Sequence, residues 1–190
     1  MLRRKAEILI LCLSMTLALI GVSACNRGRD VAAAREDRSP AVSTADQNFM
    51  IKATQANLSE IDAARLAMQK SDNSDVRDYA HMIQSEHTNA LDNLTNLMKD
   101  TGVAPPRAIP PEAQGDIDKM RELSGPDFDR EFINMMVADH QKAVTMFRDE
   151  IGAAQSADVK KYAEDVLPKL EMHLEKAQHL QSSLFGGAKK

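Results

Sequence analysis

Four residues in this 190-residue chain are of the right type and spacing to hold a metal ion together: Glu60, His87, His140 and His173. Each interrupts a stripe of apolar side chains that recurs every three or four positions, the period of one helix face. Around Glu60 the stripe is Phe49, Ala53, Ala56, Ala64 and Ala67. Around His87 it is Val76, Ala80, Ile83, Leu91 and Leu94. Around His140 it is Phe132, Met136, Val144, Phe147 and Ile151, and around His173 it is Val159, Tyr162, Val166, Leu170, Ala177 and Leu180. One metal-capable group per inward face is the pattern of a site built inside a helix bundle. Three imidazoles and a carboxylate suit zinc, iron or copper.

The neighbouring residues extend the pattern. Glu86 precedes His87 and Asp139 precedes His140. Adjacent helical residues point about 100° apart, so neither acid ligates together with its own neighbour. Each can instead orient an imidazole on an adjacent helix. Met82, Met135, Met136 and Met172 lie close by, and thioethers would turn the preference toward Cu(I). A competing reading has the same residues hydrogen-bonding one another in a polar core that only fixes helix register. His81 and His179 fall on exposed faces and carry no role.

These residues need long helices to position them. Residues 46–184 are rich in Ala, Leu, Met, Glu, Gln and Lys and contain no β-branched runs. The pattern predicts helices over Asp46–Lys70, Ser74–Asp100, Pro126–Ala154 and Ala157–Leu184, with a kink at Pro168. Ser71-Asp-Asn and Gln155-Ser156 are links short enough to force antiparallel neighbours. Thr101–Gly125 is long, holds four prolines and a short helix over Glu112–Leu123, and lets the second and third long helices run parallel. Asn73-Ser-Asp-Val-Arg-Asp-Tyr-Ala80 repeats as Ser156-Ala-Asp-Val-Lys-Lys-Tyr-Ala163. The expected fold is therefore all-α: a ferritin-like four-helix bundle of two antiparallel hairpins joined by a long connection. The four polar groups stand roughly 12–16 residues from their tight turns, a spread of about one helical turn, so they meet in one layer.

The chain ahead of the bundle has a different logic. Arg3, Arg4 and Lys5 precede an apolar run from Ile8 to Val22, then Ser23-Ala24-Cys25. This reads as a lipoprotein signal peptide over 1–24, with Cys25 as the acylated residue. Residues 25–45 read as a flexible tether and 185–190 as a tail. Asn26 after the cysteine resembles the sorting pattern of outer-membrane lipoproteins facing the periplasm. The only other cysteine, Cys12, lies in the signal, so the mature domain has no free thiol for a disulfide or a nucleophile. A formal net charge of −4, no basic stripe and no tryptophan exclude a nucleic-acid partner. No nucleophile with a matched base is visible, which favours a binding or structural module over an enzyme. The one partner legible here is the membrane, reached through the lipid; protein partners and oligomeric state are not encoded in any motif.

Several separated motifs also resemble a known family. Asp75-Val-Arg-Asp-Tyr-Ala-His-Met-Ile-Gln-Ser-Glu-His-Thr88, Leu123-Ser-Gly-Pro-Asp-Phe-Asp-Arg-Glu-Phe132, Met136-Val-Ala-Asp-His140 and Leu167-Pro-Lys-Leu-Glu-Met-His173 are similar, in order, to domain-of-unknown-function family 4142. That resemblance implies a ferritin-like fold and an exported protein of the bacterial envelope, and no settled activity. Glu86-His87 stands where the family usually has Asp-His. The Glu-x-x-His pairs of di-iron ferritins are missing: Gln84 and Val137 occupy the positions three before His87 and His140. Two functions stay open: a metal-binding envelope lipoprotein, and a structural or stress-related module acting through protein contacts.

Overall fold

The computed structural model describes residues 42–186. The expected signal peptide, Cys25 and most of the expected tether lie outside the described residues, as do the last four residues of the expected tail. Four long helices and one short one account for the rest: α1 (Thr44–Lys70), α2 (Ser74–Asp100), α3 (Pro111–Glu122), α4 (Gly125–Ala153) and α5 (Ala157–Phe185). None of these helices is long and apolar enough to cross a membrane.

The helix starts follow from capping. The Ser43 hydroxyl accepts from the Asp46 N–H at 3.0 Å, so α1 begins at Thr44, two residues before the expected start at Asp46. Asn73 Oδ1 accepts from the Asp75 and Val76 N–H groups at 2.9 and 3.2 Å and starts α2. The Ser156 hydroxyl does the same for α5 through Val159, at 3.4 Å. Gly102, at φ +73°, closes α2 in the left-handed region that a side chain would resist. α5 stays helical through Pro168, where a kink is expected from the sequence.

Contacts between side chains give the directions. Phe49 near the start of α1 meets Phe147 near the end of α4, centroids 4.9 Å apart, so these helices are antiparallel. Tyr79 meets Phe132 at 6.2 Å and His87 meets His140 at 5.4 Å, so α2 and α4 run the same way. The bundle is therefore two antiparallel hairpins joined by a connection that travels its length, as the long proline-rich link requires. α3 lies on that path, packs on α1 and α4, and buries Ile117 and Met120.

The core has two apolar parts. One centres on Ile83, Phe128, Phe132 and Met136, under α3. The other centres on Phe49, Leu94, Phe147 and Leu170, at the opposite end. Between them the four helices contribute a buried polar layer: Asn57, Glu60, His87, His140 and His173.

Candidate metal centre

Three imidazoles face one another in that layer. Their centroids form a nearly equilateral triangle with sides of 5.4, 5.2 and 5.3 Å. His173 Nδ1 stands 3.3 Å from His87 Nε2 and 3.3 Å from His140 Nε2. One nitrogen from each ring lies within 4.8 Å of the other two. All three residues are at most 4% exposed.

The outward nitrogens decide what the inward ones carry. His87 Nδ1 is 2.8 Å from Glu60 Oε2 and 3.1 Å from Asn57 Oδ1. The Asn57 amide donates to the Ala53 carbonyl at 2.8 Å, which turns its oxygen toward the ring. His140 Nδ1 is 2.9 Å from the Met136 carbonyl, and Glu60 Oε1 lies 3.8 Å away. His173 Nε2 is 3.2 Å from Glu86 Oε2. Every one of these partners is an acceptor, so every outward nitrogen is the N–H donor, and in the neutral rings that bind a metal the lone pairs are those of the three inward nitrogens. Burial, with His87 and His140 alongside, holds His173 down to about 3, so its ring is neutral near pH 7. Burial alone would raise the Glu60 carboxyl, but His87, His140 and His173 together bring it down to about 2, and it is a carboxylate.

Converging lone pairs repel one another unless a cation lies between them. Nitrogens bonded to one ion at about 2.0–2.1 Å stand roughly 3.3–3.6 Å apart, which matches the two 3.3 Å separations from His173 Nδ1; the His87–His140 pair lies within 4.8 Å. The residues present therefore fit a three-imidazole metal site whose outer hydrogen bonds are already formed.

The sequence-predicted residues divide between two roles. His87, His140 and His173 form the ring. Glu60 lies in the same layer but behind it, between the Nδ1 atoms of His87 and His140. Glu86 reaches across from α2 to α5 and orients His173, a ring on an adjacent helix. Asp139 instead turns to Lys142 Nζ, 3.0 Å away and one turn along the same helix. Met136 contributes its carbonyl, and Met82 Sδ lies 3.1 Å from Lys176 Nζ. Sequence reasoning missed Asn57. Its signal is a lone polar residue one turn before Glu60 in an alanine-rich stripe.

The internal repeat explains why the layer is lopsided. α1 and α4 end at Lys70 and Ala153, and α2 and α5 begin at Ser74 and Ala157, so the two hairpins align without a gap. Tyr79 and Tyr162 are counterparts, and they make reciprocal bonds across the seam between α2 and α5. The Tyr79 hydroxyl donates to the His173 carbonyl at 3.2 Å, and the Tyr162 hydroxyl to the Ala90 carbonyl at 3.3 Å. In the same register His140 corresponds to Asn57, Glu60 to Ala143, His87 to Leu170 and His173 to Ala90. These counterparts, Asn57, Ala90, Ala143 and Leu170, all line a cavity of about 20 Å³ that His87 and His173 also border. One half of a two-fold layer holds the imidazoles and Glu60; the other half holds Asn57, two alanines and a leucine, beside a void the size of one water.

Fold and site together define a class: an antiparallel helical bundle with a histidine ring between two apolar half-cores. The chain belongs to the Domain of unknown function family DUF4142, which it matches over residues 31–180. No curated protein is significantly similar to it. Among solved structures it is similar to a DUF305 fragment from Deinococcus radiodurans, at 18% identity and a TM-score of 0.69, covering 76% of this chain and 99% of that one. It is also similar to CopM in the Cu(I)-bound form, at 21% identity and a TM-score of 0.64, covering 74% and 98%. CopM in the Ag-bound form matches at 21% identity with a TM-score of 0.62 over the same shares. At these identities the likeness establishes the helical-bundle fold.

Proposed function

We propose that this protein is an envelope lipoprotein, anchored through Cys25 to the outer membrane, whose periplasmic bundle binds one transition-metal ion through His87 Nε2, His140 Nε2 and His173 Nδ1. The observation that carries the reading is the set of outer acceptors, which turns one nitrogen of each ring toward the other two. Zinc, iron and copper all accept imidazole, and copper in its monovalent state is the best match. Imidazoles bind a metal as neutral bases, so with one carboxylate, Glu60, buried behind the ring, a monovalent ion would leave the interior without net charge. The copper and silver forms of CopM, which shares the fold, support the same choice. Glu60 and Glu86 hold the rings in place and raise their basicity.

Copper titration of the untagged full chain in detergent tests the site. One equivalent of Cu(I) is expected. His140→Ala should abolish binding, and Glu60→Gln should weaken it about ten- to a hundredfold. Metal content below a tenth of an equivalent after supplementation would sink the reading. For the anchor, Cys25→Ser should release the protein from the membrane fraction.

A further inference from the structure

The ring is closed to solvent on most sides. The imidazoles, Glu60 and Asn57 are all at most 6% exposed. One partner of the ring differs: the Glu86 side chain is 29% exposed while its Oε2 lies 3.2 Å from His173 Nε2. The 20 Å³ cavity beside the ring is bordered by Ala90 of α2 and by Val166 and Lys169 of α5. The same three residues border an outer groove of about 260 Å³ between those helices, which reaches the exposed side chains of Asp158 and Asp165. Cavity and groove thus share a wall, in which Ala90 and Val166 are short side chains and Lys169 is a long one. At Ala90 the hairpin repeat carries alanine where its counterpart is His173, so the side chain that would fill the gap is missing. Pro168 lies in the same stretch of α5. It has no N–H to donate to the Glu164 carbonyl, so this part of the helix is held by one backbone hydrogen bond fewer.

Resting on the metal-centre reading above, we propose that the ion reaches and leaves the ring through the seam between α2 and α5, past Ala90 and Val166, with the Glu86 carboxylate as the group that first captures it. The opposite seam, between α1 and α4, also carries a surface groove, bordered by Lys52, Gln141 and Thr145. That groove shares no bordering residue with the cavity beside the ring, whereas the α2–α5 groove shares three. Lys169 stands at the α2–α5 mouth as an exposed cation and opposes a positive ion there, so it slows capture that Glu86 favours.

Removal of bound Cu(I) by excess bicinchoninate, which colours as it takes the ion, gives the release rate from the loaded full chain. Ala90→Phe is expected to slow release at least tenfold while the bound equivalent is unchanged. Val166→Phe, from the other wall, should do the same if Ala90→Phe misfolds. Glu86→Gln keeps an acceptor for His173 and should slow loading severalfold, and Lys169→Gln should speed it. Thr145→Leu, in the α1–α4 groove, should leave both rates alone. Unchanged release in both phenylalanine variants, or equal slowing by Thr145→Leu, would overturn the route while leaving the metal centre standing. No bound metal in the unaltered protein would overturn the metal centre itself, and the route with it.

Discussion

His173 carries more of the layer than any other side chain. Its Nδ1 faces both other rings, its Nε2 faces Glu86, and its carbonyl accepts from Tyr79. Its folded-state value of about 3 lies below the ordinary 6.5, so protonation opposes folding. This contribution to stability is whole above about pH 6.5 and is lost as pH falls toward 3. Melting of the metal-free protein should therefore shift downward across that window, and the shift should shrink in His173→Leu; an equal slope in both proteins would refute the assignment. The identity of the three histidines was legible in the sequence because each breaks an apolar stripe at matched depth. The position of Glu60 behind the ring was not, because a helical face is known from sequence only to within one residue. The buried face of α1 takes in Asn57 where periodicity pointed to Ala56, which is only half-buried. That small rotation sets which atom a carboxylate can reach. Asp139 shows the same effect, since a local partner, Lys142, takes a side chain that the sequence left free to turn inward.

At the scale of elements, helix number, order and ends were readable from caps, prolines and short links, and the observed ends fall within a residue or two of expectation. What no local pattern announces is how distant ends meet. Asp46, fully buried in the first turn of α1, accepts from the Gln155 and Ser156 N–H groups at 3.2 and 2.9 Å and so pins the turn between α4 and α5. Glu150 at the end of α4 is buried beside it. Burial, and then the Asp46 carboxylate, push Glu150 up to about 7. Its sign is opposite to that of His173: the stabilising contribution is present below about pH 4.5 and is lost as pH rises through about 7. Glu150→Gln should accordingly raise the melting temperature at pH 8 and leave it nearly unchanged at pH 5. A gain of equal size at both values would show that the carboxyl does not titrate as described.

Taken as a whole, the molecule divides its polar layer unevenly between its halves. The first hairpin supplies His87, Asn57, Glu60 and Glu86, and the second supplies His140 and His173. No hairpin alone holds all three imidazoles, so an ion in the ring is bound to both at once. The covalent link between the halves is the segment around Pro105, Pro106 and Pro110, at the surface and half-buried or exposed. Cut that segment, and assembly of the bundle becomes a meeting of two fragments. The ion would then strengthen a pairing that the shared apolar cores already favour; fragment association would rise with free copper, and that rise would vanish in His87→Ala. On the proposed metal reading, the duplicated architecture thus contains, within one chain, the parts of a heterodimer whose pairing answers to an ion.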